Sequence, residues 1–174
     1  MNPGIRQKMS AAEQKSDKAK SREDITRHWS VDGDVIVNDG HGLDLTTERE
    51  FASYELLIDY KTVPKADSGI YLKGNPQVQI WDYTKEGGKW KIGADKGSGG
   101  LWNNSKGAPG KDPLVLADKP FGAWNSSLIR LAGEHCTIHL NAKLVVDNVR
   151  LENYLNRKGS LPKKAPIQTQ TQGG

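Results

Sequence analysis

Hydrophobic and polar residues alternate along much of the chain, which is the pattern of half-buried β-strands. Tyr54, Leu56, Ile58 and Tyr60 fall on one side of a predicted strand over 54–61, and Glu55, Leu57, Asp59 and Lys61 fall on the other. Short strands joined by a tight turn at Asp32-Gly33-Asp34 are predicted over 31–37. Further strands are predicted at 70–73, 77–82, 114–116, 124–131, 135–141, 143–149 and 167–172. Many short strands joined by turns predict an all-β fold, arranged as a β-sandwich.

Two regions depart from this pattern. Residues 10–28 favour a helix, and Ser10 with Glu13 has the spacing of a capping box. The apolar face of this helix is thin, so we expect a surface helix. Residues 83–113 are rich in Gly, Lys, Asn and Pro and predict one long loop, and long loops in compact domains are commonly functional or mobile.

The predicted hairpin 70–82, with a turn at Gly74-Asn75-Pro76, presents two different faces. Ile70, Leu72, Val78 and Ile80 point one way and form the predicted core face. The other face carries Tyr71, Lys73, Gln77, Gln79 and Trp81. Aromatic rings stack on sugars and amides hydrogen-bond hydroxyl groups, so this face suits a carbohydrate. The alternative is an ordinary solvated sheet.

Several neighbouring residues are candidates for the same site. Asp59 lies on the polar side of its strand and could join the face, and Asp82 ends the hairpin and opens the long loop. Trp102, Asn103 and Asn104 come from that loop, and loops beside a rigid sheet often carry binding residues.

The charge distribution argues against a nucleic-acid partner. The 174 residues carry a net charge of +4, but residues 1–28 contribute +3, residues 157–174 contribute +4, and the middle is −3. We therefore expect a basic extension at 1–28, a sandwich domain at 29–156 and a basic linker with a partial strand at 157–174. The excess of basic residues is not arranged as a basic stripe interleaved with aromatic residues, which nucleic-acid binding would favour. In addition, no apolar run is long enough to span a membrane.

Other chemistries lack their motifs. His135 and His139 would lie about 13 Å apart on a strand, which is too far for chelation. The Gly-rich stretch 93–100 lacks P-loop spacing, and the chain has no nucleophile elbow. Cys136, the single cysteine, lies in an apolar strand and is expected to be a small buried residue.

Three stretches carry a family resemblance: 67–74 with 76–82, 97–104, and 117–120 leading to Trp124-Asn125. Over about residues 2–173 the chain resembles the 3-keto-disaccharide hydrolase domain family. The resemblance implies a concanavalin A-like jelly-roll sandwich that acts on glycosides oxidised at C3. It also implies a periplasmic or extracellular location, although residues 1–28 contain no signal peptide.

The resemblance implies a reaction that the polar face could perform. A C3 ketone acidifies the C2 proton, a base removes it, the C1 substituent leaves and water adds back. Asp82 or Asp59 is the expected base and Lys73 the electrophilic helper, a part that a divalent metal ion could play instead. Gln77, Gln79, Asn103 and Asn104 would hold hydroxyl groups, with Tyr71, Trp81 and Trp102 as stacking walls.

The chain also departs from the family pattern. We expect the first and last strands of the jelly roll to be missing, Ala123 stands where Glu is common, and Gln172 stands where His is common. The alternatives to an enzyme are therefore a non-catalytic, lectin-like carbohydrate-binding module and an inactive truncated copy.

Overall fold

A computed structural model describes residues 9–74, 76–154, 157 and 159–170. The predicted turn residue Asn75, the site of the His-to-Gln departure at Gln172, and the end of the last predicted strand lie outside the described residues.

Helix α1 (Ala11–His28) begins where the sequence predicts it. The Ser10 side chain accepts from the Glu13 amide, and the Ser10 amide donates to Glu13 Oε2 at 2.8 Å, which completes the capping box. No residue of the helix is buried, so it is a surface helix as expected. Strands β1 (Trp29–Asp32) and β2 (Val35–Asn38) follow as a separate antiparallel pair.

Two larger antiparallel sheets form the body of the molecule. The first has the order β3-β6-β7-β8, with β3 at Tyr54–Tyr60, β6 at Asn125–Ala132, β7 at His135–Leu140 and β8 at Lys143–Arg150. The second has the order β5-β4-β9, with β4 at Asp67–Tyr71, β5 at Gln77–Trp81 and β9 at Gln168–Gln170. The arrangement is the jelly-roll β-sandwich that the sequence predicts.

The core lies between the two sheets and uses the predicted side of the hairpin. Ile70, Leu72 and Val78 are at most 2% exposed and pack with residues of β6, β7 and β8. Tyr54, Leu56, Ile58 and Tyr60 pack against the same core from β3. The alternation along these strands therefore identified the buried face correctly.

The long loop is better ordered than its composition suggests. It contains three 3₁₀ turns, Lys85–Gly87, Trp90–Ile92 and Ala94–Lys96. Beyond them, the Gly99 and Trp102 amides donate to the carbonyls of Gln79 and Gln77, so 99–102 runs along the free edge of β5. In the part of the chain that the structure describes, no helix is long and apolar enough to cross a membrane.

Candidate functional site

The outward side of the three-stranded sheet gathers polar and aromatic side chains. Asp67 is paired in register with Trp81, and Tyr71 is paired with both Gln77 and Gln168. Register partners project to the same side of a sheet. We call the set on this side the amide face: Asp67, Tyr71, Gln77, Gln79, Trp81 and Gln168.

Hydrogen bonds link the amide face into a chain that ends at an ion pair. Gln77 Nε2 donates to Gln79 Oε1 at 3.1 Å, and Gln79 Nε2 donates to Asp67 Oδ1 at 2.7 Å. Lys89, from the long loop, donates its ammonium group to Asp67 Oδ2 at 2.6 Å. Both glutamines are below 5% exposed, so their amides are held by these partners rather than by bulk water.

A missing side chain makes room for this arrangement. Gly69 lies on β4, between β5 and β9. A Cβ placed on Gly69 would lie 2.1 Å from Nε2 of Gln77 and 2.7 Å from Cγ of Gln77. The Gln77 side chain therefore crosses directly over Gly69. Glycine is needed here for close approach.

Trp81 of the amide face contacts a second tryptophan, Trp102, from the long loop. Trp81 donates its indole N–H to the Gly97 carbonyl at 2.9 Å, and its ring meets Trp102 edge to face with centroids 5.4 Å apart. The Lys111 ammonium lies 3.6 Å from the Trp102 ring centroid and also donates to the Trp102 carbonyl. Burial lowers the pKa of Lys111. The structure thus brings Trp81 and Trp102 together, and their role as stacking walls stays a prediction.

The two loop asparagines differ in their contacts. Asn104 is buried and donates to the carbonyls of Pro109 and Arg150 at 3.2 and 3.3 Å, so its amide holds the loop together. Among the described residues, Asn103 Oδ1 is the buried side-chain atom with no hydrogen-bond partner. A buried acceptor left without a donor costs about 1–3 kcal/mol. Asn103 Oδ1 is thus an acceptor that the described residues leave unsatisfied.

Asp82 lies at the end of β5 with both carboxylate oxygens engaged. Oδ2 accepts from the Lys65 amide at 2.7 Å, and Oδ1 accepts from the Thr84 amide at 2.7 Å and the Thr84 hydroxyl at 2.6 Å. Burial acts to raise the pKa of Asp82, but the hydrogen bonds from Thr84 and Lys65 outweigh it and lower that pKa. This carboxylate shapes the start of the long loop.

Asp59 and Lys73, which were also predicted for the site, do not contribute to the amide face. Asp59 lies on the other sheet, and the Lys73 ammonium is occupied by backbone carbonyls. Asp59 is exposed on β3, which belongs to the other sheet, so it does not join the amide face as the sequence analysis allowed. Lys73 is 3% exposed, and its ammonium donates to the carbonyls of Pro162 and Lys163 at 3.4 and 2.8 Å. Lys73 therefore fastens the C-terminal segment to the hairpin.

Three residues of this site were not predicted from the sequence. Asp67 could have been found by extending the alternation of Tyr71 four residues back along β4. Gln168 could have been found only by knowing that β9 pairs with β4. Lys89 comes from an irregular loop, and no periodicity places its side chain on Asp67.

Within residues 9–74, 76–154, 157 and 159–170, no group of three or more His, Cys, Asp or Glu side chains is arranged to hold a metal ion. Cys136 is fully buried in the core, and burial raises the pKa of its thiol to about 12. It is the small buried residue that the sequence predicts.

The jelly-roll sandwich with its face of amides, tryptophans and one carboxylate has the fold of a carbohydrate-active class of β-sandwich proteins, and the family match supports that class. The chain is a member of the 3-keto-alpha-glucoside-1,2-lyase-like domain family, whose model matches residues 11–174. No curated protein gives a significant match.

Solved structures from Parabacteroides distasonis share the fold. One proposed glycosyl hydrolase is 22% identical with a TM-score of 0.62, and the match covers 82% of this chain and 81% of that one. A second is 17% identical with a TM-score of 0.60, covering 83% and 78%. A third is 20% identical with a TM-score of 0.58, covering 83% and 67%. At these identities the likeness establishes the fold alone.

Proposed function

We propose that this protein cleaves 3-keto-glycosides by elimination across C1 and C2, followed by hydration, on the amide face. The family description names a 1,2-lyase of 3-keto-alpha-glucosides, which is an elimination of this kind. The observation that carries the proposal is the Asp67–Lys89 pair, in which a carboxylate and an ammonium group lie 2.6 Å apart beside two buried amides and two tryptophans.

The pair matches the two needs of the first step. Asp67 takes the C2 proton, and the electrons of the C2–H bond form an enolate whose charge rests on the C3 oxygen. Because C2 and C3 are neighbours, the base and the cation must also be neighbours, as Asp67 and Lys89 are. The Lys89 ammonium then stabilises the enolate oxygen.

The second step breaks the glycosidic bond. The enolate reforms the C3 ketone, a double bond forms between C1 and C2, and the C1–O bond breaks as the leaving oxygen takes the proton held by Asp67. Water then adds across the double bond: Asp67 takes one proton from the water, its hydroxyl bonds to C1, and Asp67 passes that proton to C2, so the net change is hydrolysis. Tyr71, Gln77, Gln79 and Asn103 would hold the hydroxyl groups, and Trp81 and Trp102 would border the ring.

The placement of the carboxylates favours Asp67 as the base. It is the one carboxylate on the three strands β4, β5 and β9. Asp82 lies beyond the end of β5, where it binds the Lys65 and Thr84 amides and contacts no described cation, and Asp59 lies on the other sheet. In this scheme Lys89 takes the role that the sequence analysis gave to Lys73.

A substrate assay tests this proposal. We expect 3-keto-trehalose or 3-keto-sucrose to be consumed, followed by the absorbance of the ketone, while the unoxidised sugars remain intact. Parallel reactions with a chelator and with added divalent cation test a metal requirement. Saturable binding of the keto sugar without turnover by folded protein would instead establish the lectin-like module.

Three matched Asp→Asn variants test the base. Asp67→Asn should lower kcat about 100-fold or more, since a positioned general base contributes about 10²–10⁴-fold. Asp59→Asn makes the same change on the opposite sheet and should keep full activity. Asp82→Asn should lose stability but retain kcat. Activity lost in Asp59→Asn or Asp82→Asn but kept in Asp67→Asn would overturn the assignment.

A further inference from the structure

The peptide that joins Gly97 to Ser98 in the long loop is held on two sides. On one side, the Gly97 carbonyl accepts the indole N–H of Trp81 at 2.9 Å, and the Ser98 hydroxyl accepts the Trp81 backbone amide at 3.2 Å. On the other side, the Ser98 amide donates to Asp118 Oδ2 at 2.8 Å. Ser98 is fully buried, so bulk water does not compete for these bonds. We call Gly97, Ser98 and Asp118 the tryptophan brace.

Gly97 allows the Asp118 carboxylate to approach the loop backbone closely. Its φ is +93°, a conformation that glycine adopts more readily than other residues. A Cβ at Gly97 would lie 2.5 Å from Asp118 Oδ2. Burial raises the pKa of Asp118, and the hydrogen bonds from Ser98 oppose this shift only in part. The carboxylate is therefore packed against the loop, where its position limits how the Gly97 carbonyl can lie.

The chain on either side of Asp118 is anchored to the four-stranded sheet. The Lys119 amide donates to Asn125 Oδ1 at 2.9 Å. Asn141 Nδ2 donates to the same oxygen at 2.8 Å and to the Ala117 carbonyl at 2.7 Å. Asn125 begins β6 and is 1% exposed, so this anchor is part of the folded body. The tryptophan brace thus connects the four-stranded sheet to the amide face.

The braced tryptophan lies beside the proposed base. Trp81 is paired in register with Asp67, so the two side chains project to the same side of the sheet. The Gly97 carbonyl holds the Trp81 indole in one orientation there. A small rotation of the indole would displace a sugar ring that packs against it. In an enzyme site, a misplacement of about 1 Å can cost about 100-fold in rate.

We propose that Asp118 is a positioning residue for the reaction, which acts on the Trp81 ring through the Gly97–Ser98 peptide. The ring in turn aligns C2 of the substrate with Asp67. Asp118 itself does not touch the substrate. This inference rests on the proposed function, because it places the sugar ring between Trp81 and the base.

Deuterium exchange of the Trp81 indole proton tests the tryptophan brace without any substrate. The indole N–H resonance is assigned by its loss in Trp81→Phe. We expect Asp118→Ala to speed its exchange by about tenfold more than that of the buried core amides of β6 and β7, as for loss of one local hydrogen bond. Asp118→Asn keeps an acceptor oxygen and should restore slow exchange. Asp95→Ala removes an exposed carboxylate of the same loop and should change nothing.

Steady-state kinetics with 3-keto-trehalose test the consequence for the reaction. Asp118→Ala should lower kcat about tenfold or more and change KM by a smaller factor, because the sugar still binds but is poorly aligned with the base. Asp118→Asn should recover most of kcat. Asp95→Ala should match wild type in both constants.

Several results would overturn the positioning role. Wild-type exchange of the Trp81 indole in Asp118→Ala would do so, as would an equal rise in the core amides, which indicates general loosening of the fold. Selective exchange with unchanged kcat, or failure of Asp118→Asn to recover either measurement, would also contradict it.

Two further arms keep the test decisive. If Asp118→Ala does not fold, Asp118→Glu replaces it, because the longer side chain carries the carboxylate into Gly97. The same selective changes are expected in Asp118→Glu, and wild-type behaviour would overturn the proposal. If wild type does not consume the keto sugar, the proposed function fails, and the exchange of the Trp81 indole alone decides whether Asp118 holds the ring.

Discussion

The position of Gln77 on the amide face depends on Gly69. A methyl group at Gly69 would collide with the Gln77 side chain, which also donates to Gln79. We expect Gly69→Ala to destabilise the fold by about 1–3 kcal/mol, as overpacking commonly does, and to weaken sugar binding. Urea unfolding and a KM measurement check both effects.

A double-mutant cycle with Gln77→Ala separates this collision from a general backbone effect. Shortening Gln77 removes the atoms that the new methyl group would meet. The destabilisation caused by Gly69→Ala should therefore largely disappear in the Gln77→Ala background. A penalty of the same size in both backgrounds would mean that Gly69 is required for another reason.

For single residues, the sequence predicted which face a side chain lies on but not which loop atoms it contacts. Alternation correctly separated Ile70 and Val78 from Gln77 and Gln79, because side chains of a strand point to opposite faces. The same rule could not reveal that Asp82 has its oxygens occupied by Lys65 and Thr84, since those bonds depend on loop backbone. Nor could it place Lys89 on Asp67.

Strand β9 and the segment before it are held by backbone hydrogen bonds and by one buried ammonium group. The segment that leads into β9 is held by the buried Lys73 ammonium, which donates to the carbonyls of Pro162 and Lys163. Lys73→Met keeps the aliphatic stem but leaves both carbonyls without this donor. We expect a loss of about 1–3 kcal/mol in stability and faster proteolysis around residues 157–165, with kcat close to wild type.

Lys89→Met is the matched comparison for this prediction. Both variants remove one ammonium group, but only Lys89 contacts Asp67 on the amide face. The proposed mechanism requires kcat to fall in Lys89→Met. A large fall in kcat with Lys73→Met, in protein of normal stability, would return the electrophilic role to Lys73.

The strands and the helix were largely predictable, whereas their partners were not. The capping box at Ser10 and Glu13 and the alternation over 54–60 are local signals, and both elements form as predicted. Pairing of β4 with β9 joins residues about one hundred positions apart, and no local pattern contains that information. This is why Asp59 was expected beside the hairpin although β3 lies in the other sheet.

For the whole molecule, the two sheets divide structural and chemical roles. The four-stranded sheet and the inner side of the hairpin supply the core, and the outer side of the three-stranded sheet carries the amide face. The net charge of +4 has little bearing on this division, because the excess lies in the two flanks. Part of that excess, with Lys18 and Arg22, lies on the surface helix α1.

The central claim is that the glycosidic bond breaks only after the C2 proton has been removed. The most direct measurement is the reaction of 3-keto-trehalose in deuterium oxide, with the released 3-keto-glucose examined by NMR before spontaneous exchange occurs. We predict deuterium at C2 of the product, and formation of that product about 100-fold or more slowly by Asp67→Asn. Rapid cleavage that leaves the original proton at C2 would contradict the elimination mechanism.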